Sequence, residues 1–164
     1  MFGILAFCQW LQETQIGTSI RESTLMFPIL EGSHLLGLAL MMAPVMMYDL
    51  RLTGLLWKGD PVSKVKWQFL PITFVGAFFM AATGTLLFWS EPVKCYESTY
   101  FRIKVLMLIL AAVNALVFHA TIDRKTAEWD MDFPPPARAR LAGFMSLFLW
   151  AGVIFAGRYT AYNL

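Results

Sequence analysis

Apolar positions along the chain gather into four long runs, at about 24–48, 67–90, 103–121 and 141–162, with charged residues concentrated between them. Each run approaches the ~20 residues that cross about 30 Å of hydrocarbon at 1.5 Å per residue. A segment in hydrocarbon must satisfy its own backbone hydrogen bonds, so all four are predicted as helices. Pro28, Pro44 and Pro71 fall in or near them and are tolerable there as kinks. The pattern predicts an all-α fold: one membrane domain, an integral bundle of four transmembrane helices. Segment 1–22 is a different case. It lacks the positive start of a signal peptide. Phe7 is too bulky beside Cys8 for a lipoprotein cleavage box, and Gln9, Gln12 and Glu13 cut the run short of a span. It is predicted to lie along the membrane as an interfacial helix.

Composition sharpens this picture. Hydrophobic residues make up 58% of the 164 positions, and the mean hydropathy is +0.59. Soluble domains average roughly 45–50% apolar residues. The net charge of +2 is too small to argue for a nucleic-acid partner. No basic stripe, Gly-rich phosphate loop or zinc-type cysteine spacing is present.

Arg and Lys mark cytoplasmic loops. The loops after the first and third runs hold Arg51, Lys58, Lys64, Lys66, Arg124, Lys125, Arg138 and Arg140. The other side holds Arg21, Lys94, Arg102, Lys104 and Arg158. Eight against five predicts both termini outside, in the periplasm of a bacterial inner membrane. Residues 133–138, FPPPAR, read as a stiff extended connector. This orientation places Cys8 and Cys95 on the same outer face, where an oxidising compartment would allow a disulfide. Two unpaired cysteines that merely pack are the alternative.

Ionisable residues inside a span are costly, and a functional role is the default hypothesis for them. His34 falls within roughly 5 Å of the bilayer centre on the outer side. Glu31 lies about one turn further out on the same face. Arg158 and Lys104 sit at comparable outer depth, and pairing of Glu31 with Arg158 would lower the cost of each. His119 lies near the inner end of the third run, four residues before Asp123. The chain has two histidines, which invites a haem held between them. Axial ligands of one iron must stand at nearly one level, and these two lie about 14 Å apart along the normal. His34 and His119 are therefore not expected to share a haem. His34 with Met80 of the second run is the workable pair, since His–Met ligation of haem is known. Arg158, Lys104 or Arg21 would then meet the propionates. Met80 as ordinary core, and His34 as an imidazole bonded to Glu31 or another span, stay open beside it. Asn114 is expected to bond a neighbouring helix, and His119 to be an interfacial histidine.

Soft thioethers suit Cu(I). His34 followed by Met41, Met42 and Met46 makes a candidate copper ladder, set against methionine's common use as filler of irregular helix contacts.

The elements IRESTLMFPILEGSHLLGLAL, YDLRLTGL, LPITFVGAFFMAATGTLLFWSEP and FRIKVLMLILAAVNALVFH cover most of residues 20–119. They resemble an uncharacterised family of small four-span bacterial inner-membrane proteins, a likeness that implies no activity. A looser similarity rests on His34, Lys104 and His119. It is to the HemJ-type protoporphyrinogen oxidases, which bind haem b, and to the membrane domain of CopD-like copper proteins. The sequence departs from the first pattern in the longer interval from Lys104 to His119, so oxidase activity does not carry over. The resemblance implies haem or copper handling. The function expected is that of a small b-type haem protein for electron transfer, linked to quinone or serving as a subunit of a larger membrane redox complex. Cu(I) handling and a cofactor-free assembly subunit are the alternatives.

Overall fold

The computed structural model describes residues 3–162, without the side chain of Tyr162. Residues 1 and 2 of the expected interfacial segment therefore lie outside the described residues. The elements in chain order are α1 (Ile4–Glu13), α2 (Gln15–Glu22), α3 (Met26–Thr53), α4 (Val62–Ser90), α5 (Pro92–Glu97), α6 (Thr99–Val117), α7 (Thr126–Trp129) and α8 (Ala137–Tyr162). A π turn, Phe118–Ile122, and a 3-10 turn, Asp123–Lys125, carry α6 into α7. No strand occurs among the described residues. Among the described residues four helices are long and apolar enough to cross a membrane: α3, α4, the run Thr99–Trp129, and α8. Phe74, Phe78, Leu106, Leu116, Phe148 and Phe155 on these helices stay exposed. Such a surface suits lipid rather than water.

α4 packs along α3, α3 along α8, and α8 along α6. The helices therefore form a row of alternating direction, α4–α3–α8–α6. α4 and α6 are joined by side chains near their ends. Phe88 stacks on Phe101 with centroids 5.7 Å apart, and Lys66 pairs with Asp123. α3 and α4 approach closely. A Cβ at Gly76 would stand 2.4 Å from the Met41 nitrogen, and one at Gly37 3.0 Å from the Phe79 Cβ. Small residues let helix backbones approach this closely in a membrane.

The expected single interfacial helix is two. Thr14 is extended, ends α1 and caps α2 by accepting from the Gly17 N–H. The two helices fold over the end of the bundle that holds both termini, called here the terminal end. α1 lies on α5 and α2 on α4. The Trp89 indole donates to the Thr14 hydroxyl at 2.8 Å, and Arg21 donates to the carbonyls of Gln12 and Ser90.

At the opposite end α3 and α4 run about one turn beyond the apolar runs that predict them. The reason is an end cap built from polar groups. Gly54, at φ 77, supplies the left-handed residue that stops α3. The Asp130 carboxylate accepts from the Ser63 N–H at 2.7 Å and the Ser63 hydroxyl at 2.6 Å, capping α4 from outside. Arg51 is 0% exposed. Its Nε donates to the Asp60 carbonyl at 2.8 Å and its Nη2 to the Asp130 carbonyl at 3.4 Å. Beneath this cap lies the main apolar cluster, Leu52, Val62, Phe118, Trp129, Ala139 and Ala142, with Tyr48 and Ile122 against it.

Candidate functional site

His34 sits on α3 in the half of the bundle nearer the terminal end. The small residues of α4 bring that helix onto the imidazole. A Cβ at Gly84 would lie 3.1 Å from His34 Cε1. His34 Nδ1 lies 2.9 Å from the Thr83 hydroxyl. That hydroxyl has one proton and donates it to the Phe79 carbonyl one turn back. With its proton so used, Thr83 accepts, and His34 Nδ1 carries the hydrogen. In the neutral ring this leaves Nε2 with a free lone pair. A ring nitrogen fixed by one hydrogen bond while the other stays basic is the arrangement of metal-ligating histidines.

Lys104 approaches from α6. Its aliphatic chain crosses Gly157 of α8, with Cδ and Cε 3.6 Å from where a Cβ there would stand. It lies within electrostatic reach of both His34 and Cys95. Lys104 takes part in none of the ion pairs among the described residues. Four helices therefore converge here: α3 with His34, α4 with Thr83 and Gly84, α6 with Lys104, and α8 with Gly157. Thr83 first serves its own backbone, as hydroxyls in apolar helices do. Its second role depends on the antiparallel register of α3 and α4, which no local sequence signal carries.

The remaining candidates distribute as follows. The Met80 nitrogen stands 3.3 Å from a Cβ at Gly37, so Met80 lies about one turn inward of the His34–Thr83 level. Met42 is 5% exposed and Met46 43%. Met41 is buried with its backbone against Gly76. The structure thus buries Met41 and Met42 and leaves Met46 on the outer surface, not in one enclosed ladder. Glu31 is exposed, and among the described residues no ion pair joins it to Arg158. The expected neighbours are not brought together. α3 meets α8 closely at Asp49, Leu52 and Thr53 against Gly143, about five turns from Glu31. Arg158 is exposed and has an interaction of its own. Arg21 is committed to the N-terminal helices. Asn114 does bond a neighbour, donating to the Ala142 carbonyl of α8 at 3.0 Å.

His119 belongs to a separate cluster at the opposite end. Its Nδ1 lies 2.9 Å from Asp123 Oδ2, the atom that also receives Lys66. The two histidines thus occupy different clusters with different partners. Cys8 and Cys95 are both buried free thiols on the packed helices α1 and α5, and the disulfide envisaged between them is not formed in this structure. Burial, with Glu91 adding to the effect, pushes the Cys95 thiol up to about 11. No group of three or more His, Cys, Asp or Glu gathers to hold a metal among the described residues. A pocket of about 450 Å³ opens beside α2, lined by Gln15, Ser19, Ile20, Met26, Leu30 and Leu86 among others.

Three polar residues near the end of α3 are not among the candidates that the sequence offers: Tyr48, Asp49 and Arg51. All three end in buried atoms without a partner, Tyr48 Oη, Asp49 Oδ2 and Arg51 Nη1. Their signal in the sequence is an acid and a base directly abutting an apolar run. Comparison with protein-family models, with curated proteins and with solved structures gives no match to this chain.

Proposed function

We propose that the protein is a small haem-b-binding membrane protein that carries electrons, with His34 as its ligand to iron. The observation that supports this most is the Thr83 hydroxyl, which fixes the His34 tautomer and leaves Nε2 as the free donor. Lys104, half-buried and outside every ion pair among the described residues, is the cation placed to meet a propionate. Met80 is the candidate for a second ligand, and Arg158 a second propionate partner. The group itself would supply one-electron chemistry. The protein's part is a nitrogen donor, a cation and an apolar wall of α4. Quinone or a redox subunit of the same membrane is the proposed exchange partner. The membrane is proposed to be a bacterial inner membrane with both termini periplasmic, on the distribution of Arg and Lys.

The test is the visible spectrum of the purified protein and of its His34→Ala and His119→Ala variants. Expected is a Soret band that shifts on reduction, is lost with His34→Ala and persists with His119→Ala. Equal loss in both, or no band after expression with added haem, overturns the reading. The second reading is a cofactor-free assembly subunit. It is favoured by the bonds of His34 Nδ1 to Thr83 and of Asn114 to the Ala142 carbonyl, which make both serviceable as interhelical clamps. The copper reading has less support, because Met41 and Met42 are buried while Met46 is 43% exposed.

A further inference from the structure

The two ends of the bundle use their cations differently. At the terminal end Arg21 donates to the carbonyls of Gln12 and Ser90. Lys94 pairs with Glu91, Arg102 donates to the Tyr96 carbonyl and lies over its ring, and Arg158 has an interaction of its own. At the opposite end Arg51 is buried in the cap, Lys64 pairs with Asp60 and Lys66 with Asp123. Lys58 lies over the Phe133 ring. Arg124, Lys125, Arg138 and Arg140 remain. All four are exposed, and none belongs to an ion pair among the described residues. The acids around them offset this charge only in part. Asp123 is held by Lys66 and His119, and Asp130 caps α4 at Ser63. Glu128 follows Arg124 by four residues, yet among the described residues no ion pair joins them, and Asp132 is likewise outside every such pair.

The packing of α8 along α6 gathers these four cations at one corner. Asn114 of α6 donates to the Ala142 carbonyl of α8 at 3.0 Å, and Phe118 shares the apolar cluster with Ala139. Arg138 and Arg140 flank Ala139 in the chain, while Arg124 and Lys125 follow the π turn that starts at Phe118. An anion at this corner meets positive charge from two neighbouring helix ends. The surface below it is apolar. Arg138, Leu141, Phe144 and Phe148 follow one another at intervals of three, three and four residues, the spacing of one helix face. Leu141 is 63%, Phe144 47% and Phe148 66% exposed. From Arg138 to Phe148 the helix rises about 15 Å, half of the ~30 Å hydrocarbon thickness. A cation heading an apolar stripe one leaflet deep complements an anionic phospholipid, with phosphate above and acyl chain below. Free phosphate would leave the stripe unused. A zwitterionic lipid would bring a cation of its own to a corner already positive.

We propose that the α6–α8 corner at the end opposite the termini is a binding site for an anionic phospholipid. Arg124, Lys125, Arg138 and Arg140 surround its phosphate, and Leu141, Phe144 and Phe148 carry an acyl chain. The site is remote from His34 and independent of any haem.

Native mass spectrometry of the full chain tests this, with the detergent-held protein titrated with phosphatidylglycerol, phosphatidylcholine or inorganic phosphate. Expected is tighter binding of phosphatidylglycerol than of phosphatidylcholine, undisturbed by inorganic phosphate. A Lys or Arg near an anionic lipid surface contributes about fivefold. Arg138→Gln with Arg140→Gln should therefore weaken phosphatidylglycerol binding roughly twenty-five-fold, and Arg124→Gln with Lys125→Gln by a similar factor. Lys58→Gln with Lys64→Gln removes the same charge from the same end away from the corner and should leave binding unchanged. Arg138→Lys with Arg140→Lys, which keeps the charge, should retain it. Equal binding of the two lipids overturns the proposal, as does displacement of phosphatidylglycerol by inorganic phosphate. Equal loss in the Lys58 and Lys64 control overturns it too, because attraction would then follow net charge and not this corner.

Discussion

Gly76→Ala probes the contact on which the His34 site depends. A Cβ at this position would stand 2.4 Å from the Met41 nitrogen and 2.8 Å from the Leu40 carbonyl carbon. These are backbone atoms of α3, and no rotamer change relieves the clash. The two helices must separate, and the separation propagates one and two turns along to Gly37–Phe79 and to Thr83–His34. Overpacking a well-packed contact costs typically 1–3 kcal/mol, and the rigid backbone on both sides places Gly76→Ala at the upper end, about 3 kcal/mol. The comparison is Gly32→Ala on α3, where nothing lies within 4 Å. That change gains about 0.5–1 kcal/mol from helix propensity alone. Gly84→Ala is the intermediate case, since its Cβ would meet the His34 ring at 3.1 Å, a side chain that can turn. The assay is equilibrium unfolding in mixed detergent with far-UV circular dichroism. The expected order of stability is Gly32→Ala, wild type, Gly84→Ala, Gly76→Ala. Equal stability of Gly76→Ala and wild type would mean that α3 and α4 do not approach as described, and the Thr83–His34 hydrogen bond would lose its basis.

Nitrogen NMR of the histidine-labelled protein should show His34 protonated at Nδ1, and Thr83→Val should cost about 1–3 kcal/mol by stranding that donor, with Thr83→Ser close to wild type. An Nε2-protonated ring would refute the assignment. Cys95 should resist alkylation at pH 8 in the folded protein, because the folded thiol holds its proton up to about 11 while an exposed cysteine releases it near about 8.5. The folded state binds more protons between those values, so the contribution of Cys95 to stability, whole below that window, is lost as pH rises through it; Cys95→Ala should flatten the alkaline fall in melting temperature. Asp130→Ala should cost about 1–2 kcal/mol by uncapping α4 at Ser63, and Asp130→Asn, which keeps an acceptor, should recover part of the loss.

The four spans were legible because each apolar run is long enough that nothing in the aqueous world competes with a membrane helix. Their ends were not. Arg51, Lys66 and Asp130 look like loop residues until the chain folds back and each finds a carbonyl, a carboxylate or a capped N–H several dozen residues away. His34, Lys104 and Asn114 could be picked out as costly polar groups in apolar runs, and Asn114 does bond across helices. Their partners could not be named. Thr83 opposes His34, and Lys104 crosses Gly157, only in one relative register of two antiparallel helices. The Glu31–Arg158 pairing failed for the same reason: equal depth is not adjacency when α3 and α8 meet closely near Gly143.

The end cap around Arg51 also bears on how the chain matures. It joins α3, α4, α7 and α8 through Leu52, Val62, Trp129 and Ala139, residues far apart in the chain. It is the main cluster of buried apolar residues among those described. Residues 52, 62, 129 and 139 can meet only after α8 has been made, and the Asp130 cap on Ser63 closes an interval of 67 residues. Contacts between distant residues form late, because loop closure comes first. Completion of this end therefore fixes the register of all four spans in one step.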